Sequence, residues 1–360
     1  MTYLNFLPFF ISGACGYFLI GLIFPKDQKP DFALHFFLSG GLGLALSSQL
    51  VFYSLLGLGR FRPEFVVGLH LVLCAVLSGA QFFRSRKLGK PFLKIASRNL
   101  RRNDVLALGA TIVVLLPLIA QAYVYPFGGW DAWSVWNLKS RFIFLGGESW
   151  KNLFDPILWR SSPHYPLFLP LLHVWGWVFS GDPDPTGPLL TSLVFSFLTA
   201  GLLWRSLKAE GRTWPGLIGV LALFSLPFFT KLAVSQYCDL ILAFYLLAAL
   251  VSTVEAGPEK ESAANTKPFA LLSGLFLGFL SFTKPEGMTA AGILFLLNGP
   301  HLWMKNQPLR RQIPLFHFLS GTLIGILPTL IFQLSLTTAN QTFINGLVSG
   351  ENPRSLNASE

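Results

Sequence analysis

The amino-acid sequence predicts an all-α polytopic membrane protein with about ten transmembrane helices and amphipathic helices in one outer loop. Three observations support this fold class. The 360-residue chain is 52% hydrophobic and 12% charged, about half the charged share of soluble domains. Its mean hydropathy is +0.55, and its apolar residues form long charge-free runs. This composition excludes soluble enzymes, nucleic-acid-binding proteins and secreted disulfide-stapled domains. The net charge of +10 is attributed to the enrichment of Lys and Arg in cytoplasmic loops.

Ten apolar runs are candidate transmembrane spans, because a helix needs roughly 20 apolar residues to cross the hydrocarbon core. They are Leu4–Phe24, Phe32–Gly59, Phe65–Phe83, Val105–Tyr125, Pro188–Trp204, Trp214–Thr230, Leu240–Val254, Pro268–Thr283, Gly287–Met304 and Ile313–Leu336. An eleventh run, Tyr165–Ser180, is short and contains two prolines. Proline removes a helix hydrogen bond and clashes with the preceding turn. We therefore expect this run to lie in the outer interface.

The basic residues predict the orientation, because Lys and Arg accumulate on the cytoplasmic side. The stretch Arg84–Arg102 carries eight of them and is assigned to the cytoplasm. The N-terminus and the outer loop (126–187) then lie outside. The chain divides into an N-terminal three-helix addition with the basic loop (1–104), a transmembrane domain that includes the outer loop (105–336) and an extracytoplasmic tail (337–360).

The first candidate site segment is Gly128–Arg141, where a glycine pair, three tryptophans and Asp131 follow an apolar run. The spacing of its apolar residues predicts amphipathic helices on the outer membrane surface. A carboxylate at the interface can act as a general base on a hydroxyl group. Trp130 could stack on a sugar, and Lys139 and Arg141 could clamp a phosphate. The alternative is an interfacial aromatic belt with Asp131 as a helix N-cap.

Three further segments are predicted to reach the same outer side. His164 precedes and Tyr165 begins the proline-containing apolar run, and the two could bind phosphate or sugar hydroxyls. The alternative is a turn followed by a membrane-embedded half-helix. Asp239 begins one span, and Lys284 and Glu286 lie between two others. Ionisable residues at such positions are functional candidates. The alternatives are a helix cap for Asp239 and a local ion pair for Lys284 and Glu286.

These segments resemble the GT-C superfamily of polytopic glycosyltransferases. The similarity runs over about Val105–Leu336 and is closest to glycosyltransferase family 39 and the RgtA/B/C/D-like bacterial proteins, relatives of the protein O-mannosyltransferases. Its motifs are the acidic residue in the aromatic outer loop, the His164-Tyr-Pro-Leu167 segment, an outer Asp and the Thr283-Lys-Pro-Glu-Gly287 turn.

The resemblance implies an inverting transfer of a sugar from a polyprenyl-phosphate donor to a lipid, glycan or protein acceptor at the extracytoplasmic face of a bacterial inner membrane. Asp131 matches the catalytic acid of the first outer loop, and Asp239 matches an outer acid of a later span. Lys139, Arg141, His164 and Lys284 would neutralise the leaving phosphate. No cofactor is predicted, although a divalent metal stays open. The three cysteines show no metal-ligand spacing.

The sequence departs from the family at two points. Ala132 follows Asp131 where many members have an Asp-Glu pair, and Pro185–Leu190 carries no basic residue where an Arg often opens the span. Two alternatives to an active enzyme therefore stay open. One is an inactive assembly subunit, and the other is a transporter or flippase of a lipid-linked glycan.

Overall fold

The computed structural model describes residues 3–25, 30–87, 116–208, 214–257, 263–303 and 312–336. Within these ranges every regular element is helical, which confirms the all-α fold class. The first half of the predicted span Val105–Tyr125, most of the basic stretch Arg84–Arg102 and the tail 337–360 lie outside the described residues.

The first three long helices are α1 (Leu7–Ile23), α2 (Phe32–Leu58) and α3 (Pro63–Lys87). Helices α1 and α2 touch through their backbones. A Cβ atom on Gly16 would lie 2.0 Å from the Ser39 carbonyl oxygen, and one on Gly43 would lie 1.8 Å from the Ser12 carbonyl oxygen. Small residues permit this close approach. In membrane helices, the van der Waals packing that results drives association, because lipid offers no hydrophobic driving force.

The outer loop is built from short helical pieces that follow helix α4 (116–124). A single π-helical turn, Ala132–Trp136, continues into α5 (Asn137–Leu145), and two 3-10 segments follow at Gly147–Phe154 and Pro156–Ser161. The helices predicted from the apolar spacing of the segment after Gly128 are therefore confirmed, while their place on a membrane surface stays a prediction. The remaining helices are α6 (Phe168–Trp177), α7 (Thr186–Leu207), α8 (Trp214–Ser225), α9 (Pro227–Ser235), α10 (Asp239–Glu255), α11 (Ala263–Ser281), α12 (Pro285–Trp303) and α13 (Gln312–Ser335).

Five helices are long and apolar enough to cross a membrane: Leu4–Ile23, Phe32–Leu58, Pro63–Lys87, Thr186–Leu207 and Pro314–Ser335. The pair α8 and α9, bent by 75° at their junction, makes a sixth if it forms one broken span. A protein embedded in a membrane is thus supported, whereas ten spans are not confirmed for the described residues. Helix α10, for example, has 17 residues, fewer than the roughly 20 that a perpendicular crossing needs.

Helix α6 lies within the predicted apolar run Tyr165–Ser180. All ten of its residues are buried, and it packs against α2, α5 and α7. The Ser48 hydroxyl donates to the Phe168 carbonyl oxygen at 3.1 Å, and the Trp175 indole donates to the Pro8 carbonyl oxygen at 3.0 Å. A helix that is apolar all round is stable only when it is enclosed. Helix α6 is therefore enclosed by the other helices, while its depth relative to the membrane interface stays a prediction.

Contacts between loops define one end of the bundle. Arg60, which follows α2, pairs with Glu148 of the outer loop at 3.6 Å. The Trp150 indole of the same loop donates to the Gly59 carbonyl oxygen at 3.0 Å. The segment between α2 and α3 and the outer loop were both predicted to lie outside, and they meet as that assignment requires. We refer to this end as the outer-loop end.

The opposite end gathers segments that were predicted to lie on the other side. Asp31 caps the start of α2 by accepting from the Ala33 and Leu34 amides, and it forms an ion pair with Arg205 at the end of α7. Arg84 at the end of α3 donates to the Phe24 carbonyl oxygen at 3.0 Å. The chain therefore alternates between two ends as the sequence predicts, while the orientation of these ends in a membrane stays a prediction.

Candidate functional site

The glycine pair permits the outer loop to touch the segment after α9. Gly128 has a φ of +71°, and a Cβ there would lie 2.7 Å from the Ser235 carbonyl oxygen. A Cβ on Gly129 would lie 2.3 Å from the Tyr237 hydroxyl oxygen, and the Gly129 amide donates to the Ser235 carbonyl at 3.0 Å. Both positions therefore require glycine for a physical reason: two stretches of backbone approach each other here.

Asp131 follows this contact and is exposed. Its side chain makes no capping hydrogen bond, and none of the ion pairs between described residues includes it. Its backbone amide donates to the Tyr237 hydroxyl at 3.4 Å. Asp131 therefore lies at the start of the π-helical turn without capping it through its side chain, and the alternative of an interfacial aromatic belt stays open. The carboxylate is left available at the surface of the outer loop.

Two exposed indoles flank Asp131 in the sequence. Trp130 is 67% exposed and Trp133 is 55% exposed, and their ring centroids lie 4.8 Å apart in an edge-to-face arrangement. Trp136 of the same segment is instead buried. The segment thus presents one carboxylate and two ring systems to the surroundings, while its third tryptophan anchors it to the protein.

Gln236 holds the loop in place, a role that the sequence did not reveal. It has a φ of +59° and is fully buried at the end of α9. Its amide nitrogen donates to the Pro126 carbonyl oxygen at 2.7 Å, and its amide oxygen accepts from the Asn137 side chain at 2.8 Å. An amide beside Tyr237 and Asp239 was visible in the sequence, but its partners are 99 and 110 residues away along the chain.

Lys139 lies inside the protein with 1% of its surface exposed. Its ammonium donates to the carbonyl oxygens of Ser162 at 2.6 Å and Tyr165 at 3.2 Å. It also faces the rings of Trp136 and Tyr165, 6.0 and 5.7 Å from their centroids. Burial lowers the pKa of Lys139 to about 7, and the nearby Cys238 side chain opposes that shift. The predicted phosphate clamp is therefore replaced by a link between α5 and the segment before α6.

The other predicted groups of this half of the site have different surroundings. His164 is partly buried and lies edge-on to the Tyr165 ring at 4.8 Å, so the two stay beside each other. Arg141 is exposed and donates to the Pro183 carbonyl oxygen at 3.0 Å. This contact directs the guanidinium group to the loop before α7.

Asp239 and Lys284 join two helix starts at the outer-loop end. The Lys284 ammonium lies 2.8 Å from an Asp239 carboxylate oxygen and 4.0 Å from one of Glu286. The side chain of Lys284 is 15% exposed, that of Asp239 is 43% exposed and that of Glu286 is 61% exposed. Burial acts to lower the pKa of Lys284, but the hydrogen bond and charge of Asp239, with the charge of Glu286, outweigh it and raise that pKa. The main partner of Lys284 is thus Asp239, and the expected local pair with Glu286 is secondary.

The structure brings the four predicted segments together. The first meets the second through Lys139 and the third through Gly129 and Asn137. The third meets the fourth through the Asp239–Lys284 pair. Within the described ranges, no group of three or more His, Cys, Asp or Glu residues could hold a metal ion. The arrangement offers an exposed carboxylate at Asp131, exposed indoles beside it in the sequence, and the partly exposed Asp239–Lys284 ion pair.

No family model, curated protein or solved structure matches the chain.

Proposed function

We propose that the protein is a membrane glycosyltransferase of the GT-C type. It transfers a sugar, with inversion, from a polyprenyl-phosphate donor to an acceptor at the extracytoplasmic face. The observation that carries the proposal is the Asp131 carboxylate. It is exposed, makes no capping bond, and belongs to a loop whose backbone contacts Tyr237 of the segment after α9.

The proposed step uses this carboxylate as a general base. The acceptor hydroxyl oxygen forms a bond to the anomeric carbon as the bond between that carbon and the phosphate oxygen breaks. The electron pair of the broken bond leaves with the polyprenyl phosphate, and the acceptor proton passes to Asp131. An exposed acid suits this role, because the acceptor reaches it from outside and no partner has to be displaced.

The leaving phosphate requires positive charge nearby. Lys284 is the best candidate because it is partly exposed and close to Asp239 and Glu286, which hold its ammonium in the charged form. Arg141 and His164 stay second candidates at the edge of the site. Lys139 is assigned to positioning, since its ammonium is already surrounded by carbonyl oxygens and rings.

The positions of the ionisable groups favour an enzyme over a transporter. Transporters commonly bind substrate near the bilayer midplane, on broken helices. Here Asp239 and Glu286 lie in the first turns of α10 and α12, at the outer-loop end. Ala132 is fully buried, so a glutamate at that position would need a different loop packing. The departure from the Asp-Glu pair therefore fits this loop and does not by itself imply an inactive subunit.

The proposal is tested by comparing cell-envelope glycans of a deletion strain with those of strains that express variants. Asp131→Asn keeps the shape of the side chain and removes the base. We expect it to lower the amount of the transferred sugar by about 100-fold or more, the scale of general-base catalysis. Asp182→Asn is the matched control, because Asp182 is also an exposed aspartate of the outer loop and should leave the glycan unchanged.

Two results would contradict the proposal, each in its own way. If the deletion strain and its parent had the same envelope glycans, the protein would not be a glycosyltransferase of that envelope. If the deletion removed a sugar that Asp131→Asn restored in full, the enzyme would remain but its base would be another residue. Membrane insertion of each variant is verified by its abundance in the membrane fraction.

A further inference from the structure

Tyr237 is placed beside the proposed base but has no role in the proposal so far. Its hydroxyl oxygen accepts from the Asp131 backbone amide at 3.4 Å and would be 2.3 Å from a Cβ on Gly129. The residue is partly exposed. The adjoining Gln236 is fixed by two hydrogen bonds of its own. The phenol is therefore held beside the backbone of Gly129 and Asp131, next to the residue that carries the proposed base.

The Tyr237 hydroxyl still has its proton to donate. A phenol is both a donor and an acceptor, and the contact with the Asp131 amide uses only the acceptor capacity. Within the described part of the chain no oxygen accepts from this hydroxyl. The Asp131 carboxylate is a hydrogen-bond acceptor, whereas the Tyr237 hydroxyl is a donor. The Trp130 ring, which precedes Asp131, offers an exposed apolar face.

We propose that these three groups form the acceptor subsite and that the acceptor is a carbohydrate with neighbouring oxygen atoms. Asp131 takes the proton of the attacking hydroxyl, Tyr237 donates to an adjacent oxygen of the same sugar ring, and Trp130 stacks on its C–H face. This inference rests on the proposed function and narrows its acceptor class to glycans.

The chemistry distinguishes a sugar from the other acceptors. A donor aimed at the attacking oxygen itself would hold back the lone pair that forms the new bond, so Tyr237 serves better on a second oxygen. A ring with vicinal hydroxyls supplies one at hydrogen-bond distance. A serine or threonine side chain has a single hydroxyl and no flat face for an indole. The transfer step is unchanged: the proton goes to Asp131, and the electron pair leaves with the phosphate.

The wild-type protein provides the first test. The envelope component that is lost in the deletion strain is isolated from the parent, and the position to which its extra sugar is attached is determined by linkage analysis. We expect a bond to a ring hydroxyl that has a neighbouring oxygen on the same sugar. Attachment to a serine, a threonine or a lipid headgroup without a sugar ring would overturn the inference and leave the Asp131 result standing.

Variants provide the second test, with the same component as the readout. Tyr237→Phe removes only the hydroxyl and should lower product about 2- to 10-fold, the range for one hydrogen bond. Trp130→Phe keeps an aromatic face and should stay within about twofold of wild type, whereas Trp130→Leu keeps apolarity alone and should lose more. The matched control is Trp159→Leu, because Trp159 is another exposed indole of the outer loop.

The outcomes separate the subsite from simple membrane anchoring. Equal losses in Trp130→Leu and Trp159→Leu would indicate lipid contact and overturn the stacking role. Full product in Tyr237→Phe would overturn the hydrogen-bond role. Adding Tyr237→Phe to Asp131→Asn should lower product no further than Asp131→Asn alone, because both act on one bound sugar. A purely structural tyrosine would instead add its own loss and lower the melting temperature of the purified single variant.

Discussion

Replacing Lys139 by methionine tests the most unusual side chain of the outer loop. Methionine keeps the unbranched apolar stem but carries no charge, so it removes the ammonium that contacts the Ser162 and Tyr165 carbonyl oxygens. The wild-type protein encloses that ammonium almost completely. A buried charge with no carboxylate partner lowers stability whenever it is protonated. The two proteins should therefore respond differently to pH.

The sign and size follow from the pKa of Lys139, which is 10.5 in a free lysine side chain and about 7 in the folded protein. Below pH 7 both the folded and the unfolded chain are protonated, and the full cost of burial is present. Between pH 7 and 10.5 only the unfolded chain keeps the proton, so wild-type stability rises with pH by about 1.4 kcal/mol for each pH unit. The difference between the two pKa values corresponds to a total of about 5 kcal/mol.

The measurement is thermal unfolding of wild type and Lys139→Met in detergent at pH 7 and pH 9. Wild type should gain about 2 kcal/mol relative to the variant over this interval, because half of the folded protein has already lost the proton at pH 7. The gain is seen as a melting temperature difference that changes with pH. Lys151→Met is the matched control, because Lys151 is exposed on the same loop and also faces an indole, at 5.9 Å from the Trp150 centroid. Its pH dependence should parallel that of wild type. A parallel dependence in Lys139→Met would refute the reasoning.

Two further predictions concern contacts at the outer-loop end. Gly129→Ala should lower the melting temperature and the sugar transfer together, because its Cβ would lie 2.3 Å from the Tyr237 hydroxyl. Gly147→Ala on the same loop is the control. Its Cβ would have open space but its φ is +54°, so this variant shows the effect of backbone strain without the collision. Lys284→Met should change the free energy of unfolding by about 1 kcal/mol or less, because the Lys284–Asp239 pair is partly exposed to solvent. The same variant should lower sugar transfer at least about tenfold if the Lys284 ammonium neutralises the leaving phosphate. Equal stability and equal transfer would remove Lys284 from the site.

Much of the candidate site could be predicted from the positions of the charges along the chain. The Asp239–Lys284 pair and the contact of the loop after Gly128 with Tyr237 bear out the expectation that distant segments meet at one end. That expectation depended on counting crossings and on the distribution of Lys and Arg. Every second crossing returns the chain to the side from which it started.

The roles of single side chains could not be predicted in the same way. Lys139 and Arg141 are two residues apart in one short helix, and the sequence treats them alike. The structure buries Lys139 against aromatic rings and leaves Arg141 at the surface. Helical periodicity separates two faces of α5, but it does not say which face the protein covers when both contain apolar and basic residues. Tertiary packing alone makes that choice.

The sequence by itself determined the membrane class, the helical fold and the alternation between two ends, because hydropathy and charge act segment by segment along the chain. The tertiary structure alone decided that α6 is enclosed by its neighbours and that the left-handed turn at Gln236 carries the contacts that hold the outer loop. It also decided that Tyr237 lies at the Asp131 amide. These features depend on atoms that are far apart in the sequence and meet only after the helices have packed.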